Sequence, residues 1–203
     1  MPKVVDFEQK KQEIAHKALY VFAFAGYHRT TMAQIATMCH IGRSTIYEYF
    51  RNKDEIFTYT LNQSFDAMKL DFQDVLGMGQ GDSVERIAAI VRRILANLYK
   101  DKRILLVMLE HTMRIMREDQ EVAERLKDRG MEILGMFASL LEQGVRSGEI
   151  RPVDPKAMAA TLGTLVEAAV FQFSIDIGVS LESVLANVGS LIGGLRIPAE
   201  QLV

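Results

Sequence analysis

The sequence predicts an all-α protein, and three observations support this fold class. Apolar residues recur at three- and four-residue spacing along almost the whole chain, as they do on the buried face of a helix. No long segment alternates apolar and polar residues with a period of two, the pattern of a half-buried strand. No proline occurs between Pro2 and Pro152, so the commonest helix breaker is missing from most of the chain. The 203 residues are enough for one or two hydrophobic cores.

Local signals set the ends of the expected helices. Gly26 is a suitable stop for the first helix, because glycine accepts the backbone geometry of a helix C-terminus. The spacing in Thr31–Gln34 and again in Asn52–Glu55 is that of a capping box, which opens a helix. Asp154 is a good N-cap, and Pro155 follows it at the first helical position, where proline is favoured. The expected helices cover about 7–25, a short segment after Thr31, 43–50, Asn52 to 76, 83–100, 102–116, 119–147, a segment after Asp154, and Ser180 to about 196.

Glycines divide the chain further. Gly77, Gly79 and Gly81 are expected to form a flexible joint, and Gly130 marks a candidate break in the helix over 119–147. The expected domains are an N-terminal helix-turn-helix domain over 1–53 and a larger helical domain over 54–203.

Charge and cysteine content restrict the class of protein only mildly. Residues 1–55 hold eight Lys or Arg against six Asp or Glu, whereas the whole chain has a formal net charge of −2. A slightly basic head on an acidic body suits a DNA-binding module. The single cysteine, Cys39, excludes an intramolecular disulfide and favours a reducing compartment, so we expect a cytoplasmic protein. The apolar stretch 157–175 contains Glu167 and is expected to be a buried helix of a soluble protein, with no membrane partner.

The segment over residues 30–57 carries the strongest motif. Two short helices joined by a tight turn, behind a longer first helix, make a helix-turn-helix. The segment resembles the DNA-binding domain of the TetR family of bacterial transcriptional regulators over some 45 residues. The matching residues are Phe22, Gly26, Thr31, Ala36, Ile41, Thr45, Ile46, Tyr47, Tyr49, Phe50, Asn52, Lys53 and Glu55. The chain departs from the family pattern at His40 and Gly42, and Glu48 places an acid between two tyrosines.

The resemblance implies which residues meet DNA. The second helix of such a motif lies in the major groove and presents its N-terminal residues to base edges, so we expect Arg43, Ser44 and Thr45 to contact bases. An arginine can bond a guanine through two hydrogen bonds, and the methyl group of a threonine can touch a thymine. The expected phosphate contacts are Thr31, Tyr47, Tyr49 and Lys53. Ile46 and Phe50 are expected to hold this helix to the core.

The larger domain is expected to hold a cavity for a small apolar effector. Eight of the eleven methionines lie beyond residue 54, and methionine side chains adapt to varied apolar ligands. The alternative is that these residues simply fill a core. Glu167 has two interpretations, as a pocket residue or as an interface residue bonded across a dimer. The candidate ligand-binding residues are Phe65, Met68, Met108, His111, Phe137 and Phe171.

The last two helices are expected to form a homodimer interface. Small residues at helical spacing permit close approach of helices, here in an intermolecular four-helix bundle. The candidate interface residues are Val166, Ala169, Val170, Phe173, Ala186, Gly189 and Gly193. A dimer is needed because one short recognition helix reads few bases, whereas two helices read both halves of a palindromic operator.

Other classes of function find less support. The chain has no glycine loop of the type that cradles phosphate, no cysteine–histidine nucleophile pair and no HExxH motif, so we expect neither an enzyme nor catalytic residues, a metal or a cofactor. A repressor is favoured because most members of the family repress. Two alternatives stay open: a DNA-binding regulator of the same fold without a small-molecule inducer and, with less support, a helical enzyme.

Overall fold

A computed structural model describes residues 6–77, 81–100 and 102–197, and within these ranges the protein is all-α, as expected. The described part contains no strand, only an isolated antiparallel bridge between Ile150 and Arg196. Gly79, one of the three glycines of the expected joint, lies outside the described residues. The helices are α1 (Phe7–Ala25), α2 (Met32–Met38), α3 (Ile46–Tyr49), α4 (Lys53–Gly77), α5 (Ser83–Lys100), α6 (Lys102–Glu118), α7 (Gln120–Ser147), α8 (Pro155–Ser174) and α9 (Leu181–Gly193).

Most caps expected from sequence form as predicted, but the capping box at Asn52–Glu55 is only half made, because the Glu55 carboxylate accepts from the Arg51 amide and not from the Asn52 amide. Gly26 ends α1 with a φ of 80°, in the left-handed region that glycine accepts without strain. The Thr31 side chain accepts from the Gln34 backbone amide while the Gln34 side chain accepts from the Thr31 amide, a complete capping box. Asp154 accepts from two backbone amides at the start of α8.

The third helix is shorter than expected. The sequence predicts a helix over 43–50, but only Ile46–Tyr49 is α-helical and residues 43–45 form a turn. Two backbone bonds there span three residues rather than four, from Tyr47 to Ser44 and from Glu48 to Thr45. The residue before the turn is a glycine, which has no side chain to cap the first amides and hold the four-residue pattern.

Helix α7 corrects a second expectation, since it runs unbroken through Gly130. One internal glycine does not break a helix that is packed along its length, because tertiary contacts outweigh its low helix propensity. The last helix ends at Gly193, a few residues before the expected end at 196. The chain then turns back, and the Arg151 amide donates to the Leu195 carbonyl at 2.9 Å.

Two hydrophobic cores share the long helices. The first joins α1, α2 and α3 to the start of α4, where Ile56 and Phe57 are fully buried. It also takes in Ile104 and Ile115 of α6. The second core lies within the larger bundle and includes Phe72, farther along α4. Helices α4 and α6 therefore connect the N-terminal motif to the larger helical domain, called the body below, which holds the second core.

The expectation that the apolar helix is buried is only half correct. Helix α8 is long and apolar enough to cross a membrane by length and composition, yet one face packs on the body through Ala159, Leu162, Ala169 and Phe173. Only 22% of its most apolar window is buried within one chain. Its other face lies open in the monomer.

Gly144 of α7 is a close-contact position, and we predict that Gly144→Ala destabilises the protein. A Cβ at this position would lie 2.5 Å from Cδ1 of Ile150 and 2.7 Å from Cβ of Ser83. Overpacking of this kind costs about 1–3 kcal/mol. Gly135→Ala is the matched control on the same helix, because a Cβ there would meet no neighbouring group within 4 Å. The control is expected to gain about 0.5–1 kcal/mol from better helix propensity. Urea unfolding measures both, and an equal effect of the two substitutions would contradict the close contact.

Candidate DNA interface and ligand cavity

The N-terminal motif presents an exposed polar face on a rigid support. Arg43, Ser44 and Tyr47 are exposed at the turn and start of α3, and the exposed fraction of Tyr47 is 51%. Ile46 and Phe50 are buried in the first core and hold the helix against α1. The expected base-contacting end of α3 therefore points away from the core, as DNA recognition requires.

The other expected DNA residues differ in exposure. Thr31 is exposed at the start of α2, whereas Thr45 and Tyr49 are half-buried. The Tyr49 ring stacks on Phe7, with ring centroids 4.7 Å apart. This contact ties the start of α1 to the end of α3. Sequence reasoning missed the role of Phe7, since a single apolar residue at a helix end carries no distinctive pattern.

Lys53 does not have the role expected of it. Its ammonium group donates to the backbone carbonyls of Tyr27, His28 and Thr30, at 2.7, 3.3 and 3.0 Å. It also lies 4.5 Å from the centre of the Tyr27 ring. All three of its N–H donors are thus committed to the loop between α1 and α2. The expected phosphate contact by Lys53 is therefore corrected to a structural contact that fixes this loop.

A polar cluster joins the N-terminal motif to α6. The Asp54 carboxylate accepts from the Tyr27 hydroxyl at 2.6 Å and from the Arg114 guanidinium at 2.5 Å. Burial by itself would raise the pKa of Asp54, but the hydrogen bonds from Tyr27 and Arg114 outweigh it and lower that pKa. The carboxylate therefore stays ionised and holds both partners.

His111 belongs to this cluster and not to the apolar cavity, which corrects its expected role as a ligand contact. It is 3% exposed, and its ring lies 3.7 Å from the Tyr27 ring and 4.1 Å from the Phe57 ring, measured between centroids. Burial, followed by the neighbouring Arg114 charge, lowers the pKa of His111 to about 4 although Asp54 opposes the shift. The ring is therefore neutral at pH 7 and packs as an aromatic group. Beside it lies a separate polar cavity of about 310 Å³.

The apolar cavity lies in the body, between α4, α5, α6, α7 and α8, with a volume of about 400 Å³. Four of the six expected ligand contacts line it, namely Phe65, Met68, Met108 and Phe137. Phe171, the sixth candidate, is not among the lining residues and is 52% exposed on the open face of α8. Among the described lining residues, the polar side chains are Ser64, Thr112 and Glu167.

The expected dimer residues of α8 face the interior of the larger domain and not the open surface. Val166 and Val170 line the cavity, and Ala169 and Phe173 are buried in the second core. The helix rotation places a different stripe on the outside. The open face of α8 carries Ala160, Thr164, Glu167, Ala168 and Phe171.

The expected residues of α9 fit an open face better. Ala186 and Gly193 are exposed, and Gly189 is half-buried, with room around it because a Cβ there would meet no neighbouring group within 4 Å. Leu191 is 62% exposed on the same helix. Sequence reasoning does not single out Leu191 or the outer stripe of α8, since apolar residues occur on both faces of these helices.

Comparison with known proteins identifies both parts of the chain. Residues 14–60 match the family model for bacterial regulatory proteins of the tetR family, and residues 80–170 match a tetracyclin repressor-like C-terminal domain. The HTH-type transcriptional regulator YhgD of Bacillus subtilis is 27% identical over 169 residues, which cover 81% of this chain and 84% of that protein.

Solved structures share the fold. A TetR transcription regulator from Haloarcula marismortui has a TM-score of 0.78 at 16% identity, over 94% of this chain and 100% of that one. The regulator FadR of Bacillus subtilis, solved with stearoyl-CoA, has a TM-score of 0.69 at 21% identity, over 89% of this chain and 96% of that one.

We predict that Lys53→Ala destabilises the N-terminal motif and leaves the salt dependence of DNA binding unchanged. The substitution leaves three carbonyl groups without their charged donor, which costs about 1–3 kcal/mol. Urea unfolding and DNA titrations over a range of salt concentrations measure the two effects. Lys127→Ala, on the exposed side of α7, is the control and should change neither. A salt slope lowered by about one unit at unchanged stability is the signature of a phosphate contact and would contradict the structural role.

Proposed function

Because this chain belongs to the TetR family of bacterial transcriptional regulators, we propose that it is a repressor that binds a palindromic operator as a homodimer and is released by a small apolar ligand. Its proposed partners are double-stranded DNA, the ligand and a second copy of the chain. Since bacterial operator DNA lies in the cytoplasm, that is its proposed place of action.

The observation that carries the DNA-binding part of the proposal is the exposed end of α3. Arg43 and Ser44, in the turn before α3, and Tyr47, on α3, are exposed, while the fully buried side chains of Ile46 and Phe50 fix this segment to the core. A rigid helix with an exposed N-terminal end is what a major groove accepts. We propose Arg43, Ser44 and Thr45 for base edges and Thr31, Tyr47 and Tyr49 for phosphates.

The open faces of α8 and α9 support the proposal that the protein forms a homodimer. A contiguous stripe of small and apolar side chains, interrupted on α8 by Glu167, is unusual on a monomer surface and marks an interface. Two helices from each subunit make a four-helix bundle, which relates the two recognition helices by a twofold axis. The spacing this requires is about 34–36 Å between half-sites, or a multiple of it. The proposed interface contains Ala160, Thr164, Ala168, Phe171, Ala186, Gly189, Leu191 and Gly193.

The apolar cavity supports the proposal that the protein binds a small apolar ligand. Its volume of about 400 Å³ lies in the range of small-molecule sites, and its lining is mostly apolar. FadR, which shares the fold, was solved with stearoyl-CoA, so an acyl chain is a reasonable class of occupant. Helix α6 carries Met108 and Thr112 on the cavity wall and His111 and Arg114 in the polar cluster with the N-terminal motif. A ligand that shifts α6 therefore acts on both.

A regulator of the same fold without a small-molecule inducer is the second candidate. It shares the DNA-binding face and the dimer, so only a ligand-dependent fall in operator affinity distinguishes it from the proposed repressor. The cavity favours the ligand-responsive form.

We expect Arg43→Ala to relax base preference while non-specific binding persists. A guanine contact through two hydrogen bonds contributes about 1–3 kcal/mol of discrimination. Fluorescence anisotropy with DNA flanking the gene of this protein, with random duplex as competitor and at fixed salt, measures the preference. Arg125→Ala, an exposed arginine on α7, is the control. Unchanged preference in the Arg43 variant would remove its assigned role, and wild-type binding no tighter than to random duplex would argue against an operator at that locus.

The dimer is tested by Ala168→Glu. Ala168 lies in the middle of the outer stripe of α8, where a carboxylate would be buried without a partner in the dimer. An unpaired buried charge costs about 3–5 kcal/mol, so the dimer dissociation constant should rise more than about a hundredfold. Sedimentation equilibrium measures the change. The control is Met131→Glu, at an exposed position of α7. A dimer that persists in the Ala168 variant would place the interface elsewhere.

A further inference from the structure

Glu167 is the feature of the cavity that its apolar character does not explain. Among the described residues that line the cavity, it is the one with a charged side chain. The other two polar residues, Ser64 and Thr112, are uncharged, and the Ser64 hydroxyl already donates to the Thr60 carbonyl at 3.1 Å. From the described lining residues, a ligand in this cavity therefore meets a single charge, and that charge is negative.

The Glu167 carboxylate is free to act on a ligand. Within the described part of the chain it has no ion-pair or hydrogen-bond partner. It is exposed in one chain and lines the cavity, so it lies at the mouth of the cavity, beside the open face of α8 that the proposed dimer covers.

The charged residues of α4 and α7 beside the cavity provide no unpaired cation to neutralise the Glu167 carboxylate. Two ion pairs link α4 to α7 beside the cavity, Arg129 with Asp66 and Lys69 with Glu132 at 2.6 Å. Each of these cations already faces a carboxylate. Among the described residues of α4 and α7, a negatively charged ligand group at Glu167 would therefore meet no unpaired cation on this wall.

We propose, on the basis of the proposed ligand site, that Glu167 makes the cavity select effectors whose polar end, at the cavity mouth, is neutral or cationic and reject free carboxylates. A hydroxyl, an amide N–H or an ammonium group can donate to the Glu167 oxygens. An ester or a thioester carbonyl brings no charge and is tolerated. Glu167 is thus a specificity-determining residue of the ligand site.

Electrostatics sets the size of the effect. Two carboxylates about 6 Å apart, at an effective dielectric constant of about 20, repel strongly enough to weaken binding by roughly a hundredfold. Because Glu167 is exposed to solvent, screening reduces this figure, and we expect a discrimination of about tenfold or more against a free acid.

The test uses three ligands with the same chain and different ends: decanoic acid, decanol and decylamine. Calorimetric titration into the full-length wild-type protein should give decanol and decylamine dissociation constants at least about tenfold lower than that of decanoate. The Glu167→Gln variant should bind decanoate nearly as tightly as decanol, and decylamine should no longer bind it more tightly than decanoate. Glu142→Gln, which removes the same charge from an exposed site outside the cavity lining, should behave as the wild type.

The outcomes separate the two proposals. Equal wild-type affinity for decanoate and decanol, or an unchanged ratio in the Glu167 variant, would overturn the selectivity while leaving the ligand site in place. Failure of all three ligands to bind the wild type would overturn the proposed ligand site and the selectivity with it. Sedimentation of the Glu167 variant completes the test: loss of the dimer together with loss of all ligand binding would assign Glu167 to the subunit interface instead.

Discussion

The interaction on which the rest of the structure depends is the set of contacts around Asp54. Its carboxylate accepts hydrogen bonds from Tyr27 in the N-terminal motif and from Arg114 on α6. Lys53, one residue earlier, fixes the loop that carries Tyr27. Because charged hydrogen bonds are directional, this cluster sets the orientation of the motif relative to the body more sharply than apolar packing alone would. The position of α3 relative to the larger domain therefore depends on it.

The same helices serve both functional regions. Helix α4 starts beside α3 and continues to the cavity, and α6 forms part of the cavity wall before it reaches the Asp54 cluster. A close-packed interior cannot deform continuously, so a displacement of these helices at one end is felt at the other. His111 contributes to this rigidity because its ring, neutral at pH 7, packs between Tyr27 and Phe57 without a buried charge to compensate.

Several residues have a different role in the packed protein from the one that their sequence context predicts. Lys53 matches a position of the family motif, yet its ammonium group is used inside the protein. His111 and Phe171 lie on the same helices as residues that line the cavity, but each occupies a different face. On α8 the sequence assigns the inward-facing residues to the open surface for the same reason. An apolar face toward the core and an apolar face toward a partner have the same sequence pattern.

The sequence by itself determined the helices, most of their caps and the family, because hydrophobic periodicity, capping boxes and the helix-turn-helix motif are local patterns. It also identified Arg43, Ser44 and Tyr47, which are exposed at the turn and start of α3, and four of the residues that line the cavity. Only the tertiary structure decided which cations are already paired, which face of α8 is open, and that Glu167 meets the cavity. These depend on the rotation and distance of helices far apart in the chain, and spacing along one helix does not record either quantity.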